Sequence, residues 1–255
     1  MALAWLGAAG CAPGGLRVPT GAGTPLPDPE AVLRDATAQC AGLRTLTAEV
    51  GLSGRAAGER LRGRLVAGFA EPDAMRVEAV APFGAPVFII ATRGGAATLL
   101  LPREAAALDG EPPGAVLEAL TGVTLTPQDL RALLTGCLSD PEAADGTVTG
   151  TAFDGGWASL RFGDGSLMHL RWRDGRWTVR GGERAGWRVE YPAWTGAFPA
   201  SVRLRSTDAD LRLEVRQLEA NVALDDAAFV IPIPPGMRRV TLADLRRSGT
   251  LREAR

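Results

Sequence analysis

Thr45-Leu46-Thr47-Ala48-Glu49-Val50-Gly51-Leu52, then Leu61-Arg62-Gly63-Arg64-Leu65-Val66-Ala67-Gly68-Phe69, then Met75-Arg76-Val77-Glu78-Ala79 form three successive stretches of alternating apolar and polar or small side chains. A period of two places every second side chain on the same face, so each stretch predicts a strand with one dry and one wet side. Glu71-Pro72-Asp73 and the glycines at 54 and 58 supply the turns. Residues 87–91 are apolar on both sides, which predicts a strand covered twice, and 97–101 read similarly after the Arg93-Gly94-Gly95 turn. A second set begins at Trp157-Ala158-Ser159-Leu160-Arg161-Phe162 and continues through 170–173, 177–180 and 188–191. Asp174-Gly175 is the strongest hairpin signal in the chain. Val202 and Leu204, then Leu211, Leu213, Val215 and Leu218, supply the last pair.

Helices are few. Asp28-Pro29-Glu30 combines an N-cap, a proline at the first helical position and an acid in the first turn. Val32, Leu33, Ala36, Cys40 and Leu43 then recur at helical spacing, with Gly42 as a stop. Residues 113–120 form a short helix ended by Gly122. Thr126-Pro127-Gln128-Asp129 opens another before Leu130, Leu133 and Leu134, and Gly136 closes it. A Pro/Gly/Asp linker spans 139–146. The tail holds an extended proline-rich piece at 231–235, then a short helix with Thr241 as cap. Without strand–helix alternation a parallel sheet is excluded. The expectation is a mainly β fold with helices (α+β): an unclosed antiparallel β-barrel of roughly ten strands with a helical lid enclosing a hydrophobic cavity. Whether that space is hollow or filled stays open.

The chain has 255 residues, 46% of them hydrophobic, and a formal net charge of −1. That balance argues against a general pull toward nucleic acid or an anionic membrane. All 28 basic residues are arginine, a composition from which no function follows. No apolar run approaches the ~18 residues of a spanning helix. The single histidine, His169, sits in an alternating strand, where a solvated or hydrogen-bonded surface role is the ordinary one. No Gly-x-Ser-x-Gly elbow, HExxH, CxxC or Walker-type loop is present. No enzyme, cofactor or metal is expected. The tryptophans at 157, 172, 177, 187 and 194 read as core or rim of a β-surface.

At the N-terminus, Leu6-Gly7-Ala8-Ala9-Gly10 precedes Cys11, and a loose Pro/Gly/Thr stretch follows. A short apolar start, small residues and then cysteine form the signature of a bacterial lipoprotein signal, cut before a cysteine whose sulfur then carries lipid. Each buried CH₂ of such a lipid contributes about 0.8 kcal/mol, so two or more chains hold firmly. Ala12, not aspartate, follows the cysteine, consistent with outer-membrane sorting. Export puts Cys40 and Cys137 in an oxidising compartment, where they either bridge two helices or stay buried as small apolar thiols.

Ala81-Pro82-Phe83-Gly84-Ala85-Pro86 stands between two strands and sets a bulky aromatic at the tip of a turn. Phe83 there is either an exposed apolar tip or a plug folded back on the sheet edge. With Pro82-Phe83-Gly84, then Leu120-Thr121-Gly122-Val123-Thr124-Leu125-Thr126, then Leu130-Arg131-Ala132-Leu133-Leu134-Thr135-Gly136, the chain resembles the LolA/LolB lipoprotein-carrier family, on its outer-membrane receptor side. Phe198-Pro199-Ala200-Ser201-Val202-Arg203-Leu204 and Leu211-Arg212-Leu213-Glu214-Val215 look like the family's closing strands.

The resemblance implies a cavity for the acyl chains of lipoproteins, with Leu46, Val50, Leu65, Phe69, Val77, Ile89, Leu99, Leu130 and Leu133 as lining candidates. It also implies that Phe83 assists insertion into the outer membrane. The partners so implied are acyl chains of lipoproteins or other lipids, a periplasmic LolA-like carrier, and the membrane through the lipid at Cys11. The organisation expected is a signal at 1–10, a flexible tether at 11–27, the carrier-like domain at 28–224 and an extension at 225–255. The competing expectation is a structural or adaptor envelope lipoprotein with a filled core.

Overall fold

The computed structural model describes residues 15–56, 58–80, 85–138, 147–184 and 186–248. The first half of the sheet is built from β1 (Thr24–Pro25), β2 (Thr45–Ala56), β3 (Glu59–Ala70), β4 (Ala74–Val80), β5 (Phe88–Arg93), β6 (Ala96–Leu101) and β7 (Ala106–Glu111). The second half holds β8 (Thr149–Phe153), β9 (Trp157–Arg161), β10 (Leu167–Arg173), β11 (Arg176–Arg184), β12 (Trp187–Thr195), β13 (Phe198–Ser206) and β14 (Ala209–Ala220). A last short strand is β15 (Arg238–Arg239), and the helices are α1 (Pro29–Ala36), α2 (Pro113–Thr121), α3 (Pro127–Thr135) and α4 (Leu242–Ser248).

All 15 strands make one sheet in the order β1-β8-β9-β10-β11-β12-β13-β14-β2-β3-β4-β5-β6-β7-β15. Hairpins make it antiparallel except where β15 joins β7. The two halves join through β14 and β2, whose register runs from Ala209 opposite Ala56 to Ala220 opposite Leu46. The sheet keeps two edges and is unclosed. The chain leaves one end at β7 and re-enters near the other at β8, so the connection carries α2 and α3 across one face. There α2 meets β6 and α3 meets β13. We call this the inner face.

The count exceeds the ten strands expected. The unforeseen ones, β1, β7, β8 and β15, all lie at the two ends of the order. A strand near an edge has fewer neighbours to pack against, so its sequence is freer of the alternating pattern. Thr149-Gly150-Thr151-Ala152-Phe153 illustrates this, with no fully buried side chain.

Capping fixes the helices where the sequence places them. The Asp28 carboxylate accepts from Ala31 N at 2.9 Å. Thr126 and Asp129 form a reciprocal capping box. Gly122 and Gly136 end α2 and α3 at φ 69° and 76°, left-handed values that cost glycine nothing. The first helix is shorter than its apolar spacing suggests. It ends at Ala36, where the Thr37 hydroxyl donates back to Leu33 O, and the chain continues as a 3-10 turn over Ala38–Cys40.

Both ends of the described chain belong to the domain. The tail is no appendage: Phe229 and Ile231 are buried, and Leu245 of α4 is 1% exposed. Ile231 packs with Ala91, Leu100 and Ala107 on the outer face of β5–β7, which explains why that stretch is apolar on both sides. Nor are residues 15–27 a free tether. β1 pairs with β8, Leu26 N donates to Gly150 O at 2.9 Å, and a Cβ added at Gly181 would lie 2.8 Å from Leu16.

That N-terminal strap accounts for His169. Across the second half, Thr151, Ser159, His169, Gly181 and Glu190 stand in one cross-strand row. The strap passes over it, with Gly23 against Thr151, Leu16 against Gly181 and Gly15 against Glu190. His169 is therefore 5% exposed rather than solvated. Its Nδ1 shares a hydrogen bond with the Ser159 hydroxyl at 2.9 Å, and Nε2 stands 3.6 Å from Glu183. Burial holds the imidazole below the ordinary histidine value, and the Glu183 charge opposes this only partly. The unfolded chain thus binds a proton at His169 before the folded protein does. Stability is expected to fall as pH drops below about 6.5, until the lowered native value is passed. Urea midpoints for wild type and His169→Gln across that window test this, and equal slopes for the two would reject it.

Candidate functional site

The inner face carries two apolar clusters. Under α2 and α4 lie Leu46, Val50, Phe69, Val77 and Leu99, packed with Val116, Leu117, Leu120 and Leu245. Leu133 belongs to the other, with Leu160, Leu170, Val189 and Leu204. Leu46 and Leu99 are 0% exposed, so no water-sized space touches them. These six lining candidates belong to packed core, Phe69 also edging a cleft at the end of the sheet: helix leucines, including one from the tail, fill the space expected to be hollow. Ile89 is a different correction. It alternates with Phe88 and Ile90 and packs on the outer face with the cluster around Ile231.

Between the clusters the packing is incomplete. Leu130 of α3 and Leu213 of β14 touch both clusters, yet each stays half-buried, as do Leu52 and Leu65. The register sets Leu213 opposite Leu52, and Leu52 opposite Gly63, with Leu65 two residues along. Gly63 is exposed, and a Cβ added there would meet nothing within 4 Å. Every second residue of β3 from Leu61 to Phe69 turns inward, so a missing side chain at 63 leaves room along a row of leucines. Glycine inside a strand often marks close approach by something else. This boundary between the clusters is an apolar seam that holds Leu65 and Leu130, both expected as lining, with Leu52, Gly63 and Leu213, which were named only as strand positions. The available signal was the lone glycine in the inward row.

A separate cleft of about 830 Å³ opens at the end of the sheet where β3 turns into β4. Its walls include Leu43, Phe69, Arg34, Arg131 and the Cys40–Cys137 pair. Those cysteines are joined as a disulfide with Cα atoms 5.8 Å apart, tying the turn after α1 to the end of α3. Arg131 spans the cleft, donating to Leu43 O and to Glu71 at 3.2 Å. The volume is within the range of small-ligand sites. Its lip is charged and its floor mixed, unlike the leucine seam.

Cys11 and Phe83 lie outside the described residues. Among the described residues no helix is long and apolar enough to cross a membrane, and no three His, Cys, Asp or Glu side chains gather as a metal site needs.

No protein-family description matches the chain, and no curated protein matches it. Solved structures do. A LolA superfamily protein from Nitrosomonas europaea superposes with a TM-score of 0.52 at 11% identity, covering 80% of this chain and 97% of that one. A DUF1329 family protein from Desulfovibrio piger gives 0.51 at 14% identity, covering 79% and 97%. At such identities the likeness is one of fold, and the fold is LolA-like: an unclosed, mainly β sheet with few helices.

Proposed function

We propose that the protein is a lipid-anchored carrier or receptor of the bacterial envelope. It holds acyl chains of lipoproteins, or of other lipids, along the inner-face seam and passes them to the outer membrane. The observation that carries this reading is the unfilled apolar row at Leu52, Gly63, Leu65, Leu130 and Leu213. Support comes from the LolA-like fold and from the lipobox at Cys11. No polar group is needed to hold a hydrocarbon chain. Six methylenes covered by the seam contribute about 5 kcal/mol at ~0.8 per CH₂, before the cost of association. Binding of that strength suits a protein that must let go. In this scheme a periplasmic LolA-like carrier supplies the cargo and Phe83 eases its entry into the bilayer. No enzymatic step is involved.

The packed interior under α2 also suits the second reading, a structural or adaptor lipoprotein that binds a protein partner. Gly63→Phe separates the two. Its backbone conformation is ordinary and the space is open, so folding is expected to hold or gain slightly. Uptake of a fluorescent acyl probe is expected to drop about tenfold, the equivalent of losing roughly two methylene contacts. Undiminished uptake removes the seam from the mechanism. In the same transfer assay Phe83→Glu should still accept probe but fail to deliver it to vesicles.

A further inference from the structure

The outer face of β10 and β11 carries a charge pattern that the fold does not explain. Arg171 and Arg173 point outward from β10, opposite Thr178 and Arg176 of β11. The register shift after His169 leaves Arg180 as the extra residue of a bulge, which adds a third guanidinium to the same patch. Arg180 is half-buried and donates only to Pro192 O, at 3.3 Å. Burial and the like charges of Arg173 and Arg171 both push its proton affinity down, with no acid acting the other way. Arg171 lies over the Trp157 ring, 4.9 Å from its centre. Of the acids nearest in sequence, Asp174 is an exposed turn residue and Glu183 stands against His169 and Arg188; neither forms an ion pair with the three among the described residues. Most other arginines of this half are matched: Arg184, Arg188, Arg203 and Arg205 each face a carboxylate.

Two further observations indicate what covers the patch. Trp157, opposite Arg171 on β9, shares its face of the sheet and lies half-buried beneath that guanidinium, whereas Trp172 turns to the other face with Trp177. Tryptophan beside arginine is the pairing that bilayer interfaces favour. The strap also brings Gly15 against Glu190 and Arg205. Glu190 is two residues from Pro192, the Arg180 acceptor, about 7 Å along the strand. Gly15 is only four positions from Cys11, a reach of at most about 14 Å. A lipid at Cys11 would enter a bilayer close to this face.

We propose that the Arg171, Arg173 and Arg180 patch, with Trp157 beside it, docks the protein on the anionic phospholipid headgroups of a bilayer. The near-neutral charge of the whole chain conceals this local excess. The proposal stands whether or not the seam carries acyl chains.

The test uses the full chain as Cys11→Ala, so that no lipid anchor contributes, in flotation with two kinds of vesicle. Binding is expected to vesicles of phosphatidylglycerol with phosphatidylethanolamine and not to phosphatidylcholine alone. Each arginine near an anionic surface is worth about fivefold, so Arg171→Gln/Arg173→Gln should weaken binding about 25-fold. Adding Arg180→Gln should weaken it further. Among the described residues neither Arg171 nor Arg173 forms a hydrogen bond or ion pair, and only the Arg171 contact with Trp157 is lost, so melting should change little. Arg60→Gln/Arg62→Gln, which removes the same charge from exposed sites on β3, should bind as the parent does. Equal binding to both vesicle types, no loss in the patch variant, or an equal loss in the β3 variant would each overturn the proposal.

Discussion

Removing the disulfide, by reduction or as Cys40→Ala/Cys137→Ala, is expected to lower unfolding free energy by about 3–5 kcal/mol. The bridge joins residues 97 apart in sequence. In the chain-entropy account a link of that span removes much of the freedom of the unfolded chain, which is where its stabilisation originates. In a protein of this size each kcal/mol moves the melting temperature by about 2–4 °C, so a shift of about 10 °C should be visible. The loss should also loosen the cleft, because the bridge pins the turn at Ala38–Cys40 to the end of α3. Urea titrations with and without reductant decide the matter. Matching midpoints would mean that the bridge adds nothing to stability.

Arg205→Ala should cost about 3 kcal/mol through the carboxylate it leaves behind. The Glu190 side chain is 5% exposed and accepts from Arg205 Nη1 at 3.0 Å. Val189 and Tyr191 beside it face the inner core, so Glu190 faces outward, and it is the strap at Gly15 that removes it from water. Without the guanidinium a charge stays under the strap with only Arg203, itself held by Asp210, to answer it. Glu190→Gln in the Arg205→Ala background should therefore recover part of the loss, since an uncharged amide is far cheaper to bury. Denaturant unfolding of the two single variants and the double variant measures this. A loss for Arg205→Ala within about 0.5 kcal/mol of wild type, the ordinary range for surface changes, would contradict it.

The regular part of the fold was readable because alternation is a direct consequence of having one dry face. Leu46 to Leu52 and Met75 to Ala79 point inward residue for residue as their spacing dictates. The capped helices were equally legible, since Thr126, Pro127, Asp129 and Gly136 each answer a specific need of a helix end. Edge strands, the strap and the tail were not. Gly15 to Pro27 has the composition of a linker, and its burial of His169 and Glu190 depends on contacts with residues more than 120 positions away. Leu245 fills the first cluster from the far end of the chain. No local pattern reports such filling, so residues such as Leu99 read equally well as cavity wall or as core. The seam became visible only when Leu52, Gly63 and Leu213 were brought side by side across β2, β3 and β14.

Uptake of hydrocarbon along the seam is open to direct measurement. Native mass spectrometry of the unacylated Cys11→Ala chain, after incubation with a diacylglycerol-modified lipopeptide, tests it most directly. A bound species carrying one lipopeptide is expected, absent or strongly diminished when Gly63 is replaced by phenylalanine. A clean unliganded mass for both proteins, at lipopeptide concentrations that saturate a known acyl-chain carrier, would contradict it.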